Sequence, residues 1–171
     1  ETLTHVDPPP KPDPKVIALR NGFAALNAGD LEQASARFER LLAENANNTD
    51  ALGGLGVIRL KQEKFTEAER YLSQATKGQQ NLAKWGTALA SARFWLAMDA
   101  GNAHREAGQR ELAITQFKRA RQLDSTQTLP VLALADLAAE DGKLAEADQA
   151  YRQVLSKEPD SIDAMRGLVN V

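Results

Sequence analysis

The sequence predicts an all-α solenoid of antiparallel helix pairs, with one helix much longer than the others. Three observations predict it. A six-residue pattern returns four times, as "GDLEQA" (29–34), "EKFTEA" (63–68), "GQRELA" (108–113) and "GKLAEA" (142–147). The alanines that close it, Ala34, Ala68, Ala113 and Ala147, are separated by 34, 45 and 34 residues. Around each alanine the side-chain sizes also repeat. Twelve residues earlier stands a small residue (Gly22, Gly56, Gly101, Ala135), and four residues later a large one (Phe38, Leu72, Phe117, Tyr151).

The first element in chain order is a tail. Five of the seven prolines fall in "PPPKPDP" (8–14), where fixed φ angles and missing backbone donors favour an extended, polyproline-like chain. Residues 1–14 are expected to form a semi-rigid linker, although such a run is also the form of a ligand for a proline-binding domain. The chain begins at Glu1 with no initiator Met, signal peptide or lipidation motif, so it reads as a piece of a longer protein.

From Lys15 onward the signal is helical. Four repeats are expected at 15–48, 49–80, 81–126 and 127–160, followed by the first helix of a fifth at 161–171. Two antiparallel helices approach closely only where neither carries a bulky side chain, which places Gly and Ala at each crossing. The large residue one turn further on fills the space toward the next repeat. No unit buries its own apolar stripe; stacked units bury it continuously. Helix-turn-helix units of 34 residues with this small–small–large pattern resemble the tetratricopeptide repeat, which implies a right-handed superhelix. The proline that often closes such a repeat stands only at Pro159, with Ala46, Gln80 and Ser125 at the equivalent places.

The 45-residue interval holds "KWGTALASARFWLAMDAG" (84–101) and both tryptophans. Eleven extra residues at ~100° each make about three turns with roughly 20° of drift, so an insertion of that length extends a helix and keeps its packed face. One helix from about Leu82 to about Glu106 is expected, with Leu82, Trp85, Leu89, Ala92 and Leu96 on a common face. It either changes the superhelical pitch or serves as a hinge between the first two repeats and the last two. Trp85 falls on the packed face and Phe94 nearly opposite. Trp95, roughly 80° from Phe94's opposite number Trp85, stands as a candidate for a groove or exposed position.

Composition excludes several function classes. Formal net charge is −2, from 21 basic and 23 acidic residues, without the basic stripe of a nucleic-acid-binding face. No apolar run reaches the ~20 residues that span a bilayer. The absence of cysteine removes disulfides, Cys-zinc sites and thiol catalysis. Of two histidines, His5 lies in the tail and His104 stands alone on a helix, so no metal-ligand spacing exists. "GGLG" (53–56) lies within a helix and follows no strand, unlike a dinucleotide fingerprint. Carboxylates such as Glu67 and Glu111 sit near Arg70 and Lys118 on exposed helical faces. No catalytic, cofactor-binding or metal site is expected.

What remains is the concave surface lined by the first helix of each repeat. The register directs Phe23, Asn27, Val57, Lys61, Asn102, Arg105, Asp136 and Glu140 into it, and Trp95 joins them as a candidate. Tetratricopeptide domains that hold a C-terminal carboxylate share a set of Lys, Asn and Arg there. Only Asn102 and Arg105 match, which argues against that clamp.

The order of "ALGGLGVIRLKQEKFTEAERYLSQA", "KWGTALASARFWLAMDAG" and "ALADLAAEDGKLAEADQAYRQVLSKEPDSIDAMRGLVNV" resembles the periplasmic tetratricopeptide region of the bacterial cellulose synthase operon protein C family. The matching positions are Lys84–Trp85, Arg93–Phe94–Trp95 and Arg166–Gly167–Leu168, and the likeness runs from Pro14 to Val171. This resemblance implies a non-catalytic scaffold in the periplasm, ahead of an outer-membrane β-barrel, linking the inner-membrane synthase to the exit pore. Its implied partners are other subunits of the cellulose synthase complex, periplasmic proteins and, in one alternative, the glucan chain. A generic peptide-binding adaptor is the other alternative. Aromatic content of 5% is low for a surface that stacks on successive sugars.

Overall fold

The computed structural model describes residues 10–171; most of the proline-rich tail, residues 1–9, lies outside them. The described residues form nine helices and no strand. In chain order they are α1 (Pro14–Asn27), α2 (Leu31–Glu44), α3 (Thr49–Lys61), α4 (Phe65–Ala75), α5 (Gln79–Glu106), α6 (Arg110–Leu123), α7 (Leu129–Glu140), α8 (Leu144–Lys157) and α9 (Ile162–Val169). Each packs chiefly on its chain neighbours, as expected of a solenoid with no single central core. Pro14 is already helical: it takes the first position of α1, where a missing N–H costs nothing, behind the cap Asp13, whose side chain accepts from Lys15 N at 2.8 Å.

The turns between paired helices use one backbone device. Gly29, Gly108 and Gly142 adopt positive φ (81°, 72° and 74°), which glycine does without steric cost. The second repeat has Glu63 at the same place, with φ 57°. A left-handed conformation costs a side-chain-bearing residue about 1 kcal/mol. Glu63→Gly is therefore expected to raise stability by about that amount, read as a higher urea midpoint at unchanged m-value. A lower midpoint would mean that Glu63 makes a compensating contact.

The size pattern acts as expected. A Cβ added at Gly22 would lie 2.7 Å from the Phe38 ring, at Gly56 2.4 Å from Leu72, and at Gly101 2.5 Å from Phe117. Each large residue also reaches the following repeat: Phe38 lies 2.5 Å from a Cβ at Gly54, and Tyr151 2.3 Å from one at Gly167. "GGLG" is thus a three-sided seat inside α3. Gly54 and Gly56 receive Phe38 and Leu72, and Gly53 receives Trp85, with a Cβ there 2.2 Å from the indole.

The long helix is real and differs from expectation in two ways. It is 28 residues, starting at Gln79, and Leu82 is 54% exposed. The first turn of α5 overhangs its neighbours, so Leu82 has nothing to pack against and leaves the common face. The packed face also changes side. Trp85, Leu89 and Ala92 join Leu52, Leu72 and Ala75 of α3 and α4, whereas Phe94, Ala97 and Met98 join Phe117 and Leu137 of α6 and α7. At ~100° per residue the two sets lie roughly 160° apart around the helix. α5 therefore bridges two cores, one on each side. The eleven-residue insertion supplies the length that two separate contacts require.

Candidate functional site

The first helices of the four repeats, α1, α3, α5 and α7, carry the candidate residues, and the structure divides these into two groups. Toward the N-terminal end, Phe23 and Val57 are half-buried and packed on the hydrophobic core. Phe23 meets the Phe38 ring edge-on at 4.9 Å and stacks on Trp85 at 6.1 Å. Lys84 lies 5.1 Å from the Trp85 ring and 5.9 Å from Phe23, and pairs with Asp50 of α3. Trp85 itself is 7% exposed, and its indole N–H has no acceptor among the described residues. Asn27 and Lys61 are exposed at the ends of α1 and α3, as is Asn102 on α5.

Trp95 is half-buried and packed against the core of α5, α6 and α7. Its indole stacks on Phe65, at the start of α4, with centroids 5.8 Å apart, and meets Phe94 edge-on at 5.1 Å. Each tryptophan thus stacks on a phenylalanine within the fold, Trp85 on Phe23 and Trp95 on Phe65.

Toward the C-terminal end, three candidates converge. Arg105, near the end of α5, pairs with Glu140 and lies 3.7 Å from Asp136 of α7. Arg110, at the start of α6, pairs with Glu140 at 2.9 Å and Asp141 at 2.7 Å, and donates to the Leu137 carbonyl at 2.8 Å. The Tyr151 hydroxyl donates to Asp136 at 2.7 Å. Burial first, and then this bond to a carboxylate, push the phenol well above its ordinary range, so it remains a donor. Beside this network is a groove of about 340 Å³, bounded by Arg105, Leu132, Asp136, Tyr151, Asp163 and Arg166. Asp163 and Arg166 pair with each other at 3.3 Å, both exposed.

Sequence reasoning assigned Tyr151 only to packing, passed over Arg110, and named Arg166 only for the family resemblance. Tyr151 is both: its ring fills the space at Gly167 while its hydroxyl reaches the groove. The signal was available, since a Tyr stands where the other repeats have Phe or Leu. Two expected surface pairs also fall out differently. Glu67 pairs with Arg59 of α3 at 2.9 Å, and Glu111 forms no ion pair among the described residues.

Hydrogen bonds from Arg105 and then Arg110 hold the Glu140 carboxyl below the usual carboxylate range. A depressed folded pKa contributes stability above the unfolded value, about 4.3, and this is lost as pH falls through the folded pKa. Wild type is accordingly expected to exceed Glu140→Gln at pH 7, with the gap closing below about pH 4.3. Urea unfolding at several pH values measures it. A gap independent of pH would remove the ion pairs as its source.

No group of three or more His, Cys, Asp or Glu able to hold a metal exists among the described residues, and no helix there is long and apolar enough to cross a membrane. The arrangement offers directed donors and acceptors around a shallow groove, suited to holding a polar segment.

Models described as tetratricopeptide repeat match residues 25–92 and 131–161. Among curated proteins, cellulose synthase operon protein C of Pseudomonas fluorescens (strain SBW25) is 37% identical over 153 residues, covering 90% of this chain and 12% of that protein. The protein of the same name from Xanthomonas axonopodis pv. citri (strain 306) is 36% identical over 159 residues, covering 93% and 10%. Cellulose synthase 1 operon protein C of Komagataeibacter xylinus is 32% identical over 168 residues, covering 94% and 12%. The chain thus spans about a tenth of the length of these relatives. Among solved structures, YrrB, described as a TPR protein with an unusual peptide-binding site, superposes with a TM-score of 0.50 at 21% identity, covering 91% of this chain and 75% of that one. A MamA structure does so with a TM-score of 0.50 at 16% identity, covering 90% and 84%. These likenesses concern the fold alone.

Proposed function

The chain belongs to the tetratricopeptide-repeat family, and on that premise we propose that it is a non-catalytic scaffold module of a bacterial cellulose synthesis and export complex. It works in the periplasm, linking the inner-membrane synthase to the outer-membrane pore by holding other subunits of that complex. The observation that carries this reading is the similarity to cellulose synthase operon protein C along nine-tenths of the chain. The array of residues 15–171 is the binding unit.

The groove between α5, α7 and α9 is the favoured contact surface, with Arg105, Asp136 and Glu140 fixing its polarity. Phe23, Val57 and Trp95 act by packing, and Asn27, Lys61 and Asn102 are exposed on α1, α3 and α5. The glucan-contacting alternative is less well supported, because it needs a free aromatic platform and both tryptophans are stacked within the fold.

A photo-crosslinking residue placed at Arg166, in the full-length protein within cellulose-producing cells, tests the reading. Cross-links to subunits of the synthase machinery are expected. Cross-links to glucan alone, or none at Arg166 while an outer-surface control at Arg40 reacts, would overturn it.

A further inference from the structure

A second cavity lies on the opposite side of α7 from the groove above. It occupies about 450 Å³ between the second helices α6 and α8. Its floor is apolar: Ile114 of α6, Val131, Leu134 and Ala138 of α7, and Ala150 of α8. Its rim is charged, and the charge is sorted along the groove. At the end where α6 and α8 begin stand Glu111 and Glu146, with Asp141, already engaged by Arg110, and Lys143. At the end where α6 finishes stand Lys118 and Arg121, with no lining carboxylate.

Glu111, Glu146, Lys118 and Arg121 are all exposed and form no ion pair among the described residues. The first groove is different, since its arginines and carboxylates neutralise one another. Here Glu111 and Glu146 at one end and Lys118 and Arg121 at the other face outward over an apolar floor, with the exposed Lys143 beside the two acids; the ten residues from Glu111 to Arg121 span about 15 Å of helix.

We propose that this groove docks a peptide segment of a partner protein, basic at one end, aliphatic in the middle and acidic at the other. The charges dictate the polarity: a Lys or Arg over Glu111 and Glu146, an Asp or Glu over Lys118 and Arg121. About five extended residues cover the distance at ~3.3 Å each. The volume admits the aliphatic side chains of the middle two or three. Charge fixes register and orientation, while the floor of Ile114 and Leu134 supplies the apolar contact. This second surface uses α6, α8 and the other side of α7, and none of the residues that define the groove between α5, α7 and α9. A partner held there leaves the other side of the solenoid open.

The test is an array of acetylated, amidated heptapeptides probed with the 171-residue chain, followed by fluorescence anisotropy on the enriched sequences. Enrichment of the basic–aliphatic–acidic order is expected. The double variant Lys118→Glu/Arg121→Glu should weaken those peptides about tenfold and select ones basic at both ends. Arg166→Glu, on the other side, should leave them unchanged. All four rim positions are exposed, so the variants are expected to fold, with far-ultraviolet circular dichroism as the check. Enrichment without a charge order, or loss of binding on Arg166→Glu but not on rim reversal, would overturn the proposal. So would sedimentation showing a dimer that rim reversal dissociates, since the occupant would then be a second copy of the chain.

Discussion

A Gly53→Ala variant is expected to lose about 2 kcal/mol of stability and to shift tryptophan emission to the red. Helix propensity alone predicts the reverse, a gain of about 1 kcal/mol for alanine in a helix interior. Packing overrides it. The new Cβ would stand 2.2 Å from Cε2 of Trp85, and the atom it meets belongs to a rigid indole in a buried site. Overpacking of this kind costs about 3 kcal/mol. The indole must leave its seat, which weakens the contact of α3 with the first half of α5. The measurement is thermal unfolding in a Trp95→Phe background, so that emission reports Trp85 alone. Trp85→Phe should restore part of the loss by shrinking the ring. The same substitution at Gly86 is the control: its Cβ would meet only the flexible Leu82 side chain, at 3.3 Å, and propensity should prevail. Equal or greater stability of Gly53→Ala, with unchanged emission, would refute the seat.

Phe117→Ala should cost still more, about 4 kcal/mol. Phe117 is fully buried, fills the space left by Gly101 and anchors the core shared by α5, α6 and α7. Truncating such a phenylalanine removes its transfer free energy and leaves a cavity that helix backbones on three sides cannot close. In a solenoid the damage spreads by nearest-neighbour contact. Amide exchange should therefore rise in α6, α7 and the second half of α5, while α1 to α3 keep their protection. Uniform loss of protection along the chain would mean that α5 couples its two cores into a single cooperative unit. That outcome would overturn the two-core description.

Much of the fold could be read from the residues because the pattern depends on local size and spacing. A glycine or alanine twelve positions before a recurring alanine, and a large residue four after it, already specify which atoms meet at a crossing. Three of the recurring hexapeptides begin at Gly29, Gly108 and Gly142, where the structure shows positive φ. The candidate site was only partly legible. Arg105, Asp136 and Glu140 come together because the register of first helices is preserved across the third and fourth repeats. Trp95 could not be placed, since periodicity gives an angle around α5 and not the identity of the neighbour at that angle. Phe65, which stacks on it, is 30 positions away in the chain, and the repeat pattern that sets Phe65 at the start of its helix does not say which side chain it meets.

The sequence by itself determined the repeat, its interruption and the helical character of the insertion, because each follows from spacing along one strand of chain. Only the tertiary structure decided that α5 packs on opposite sides in its two halves, that Gly53 is reserved for Trp85, and that the unpaired charges of α6 and α8 border an apolar groove. Those facts depend on which surfaces face one another across separate helices. A side chain's neighbours there are set by the stacking of whole units, and a single-helix periodicity carries no information about them.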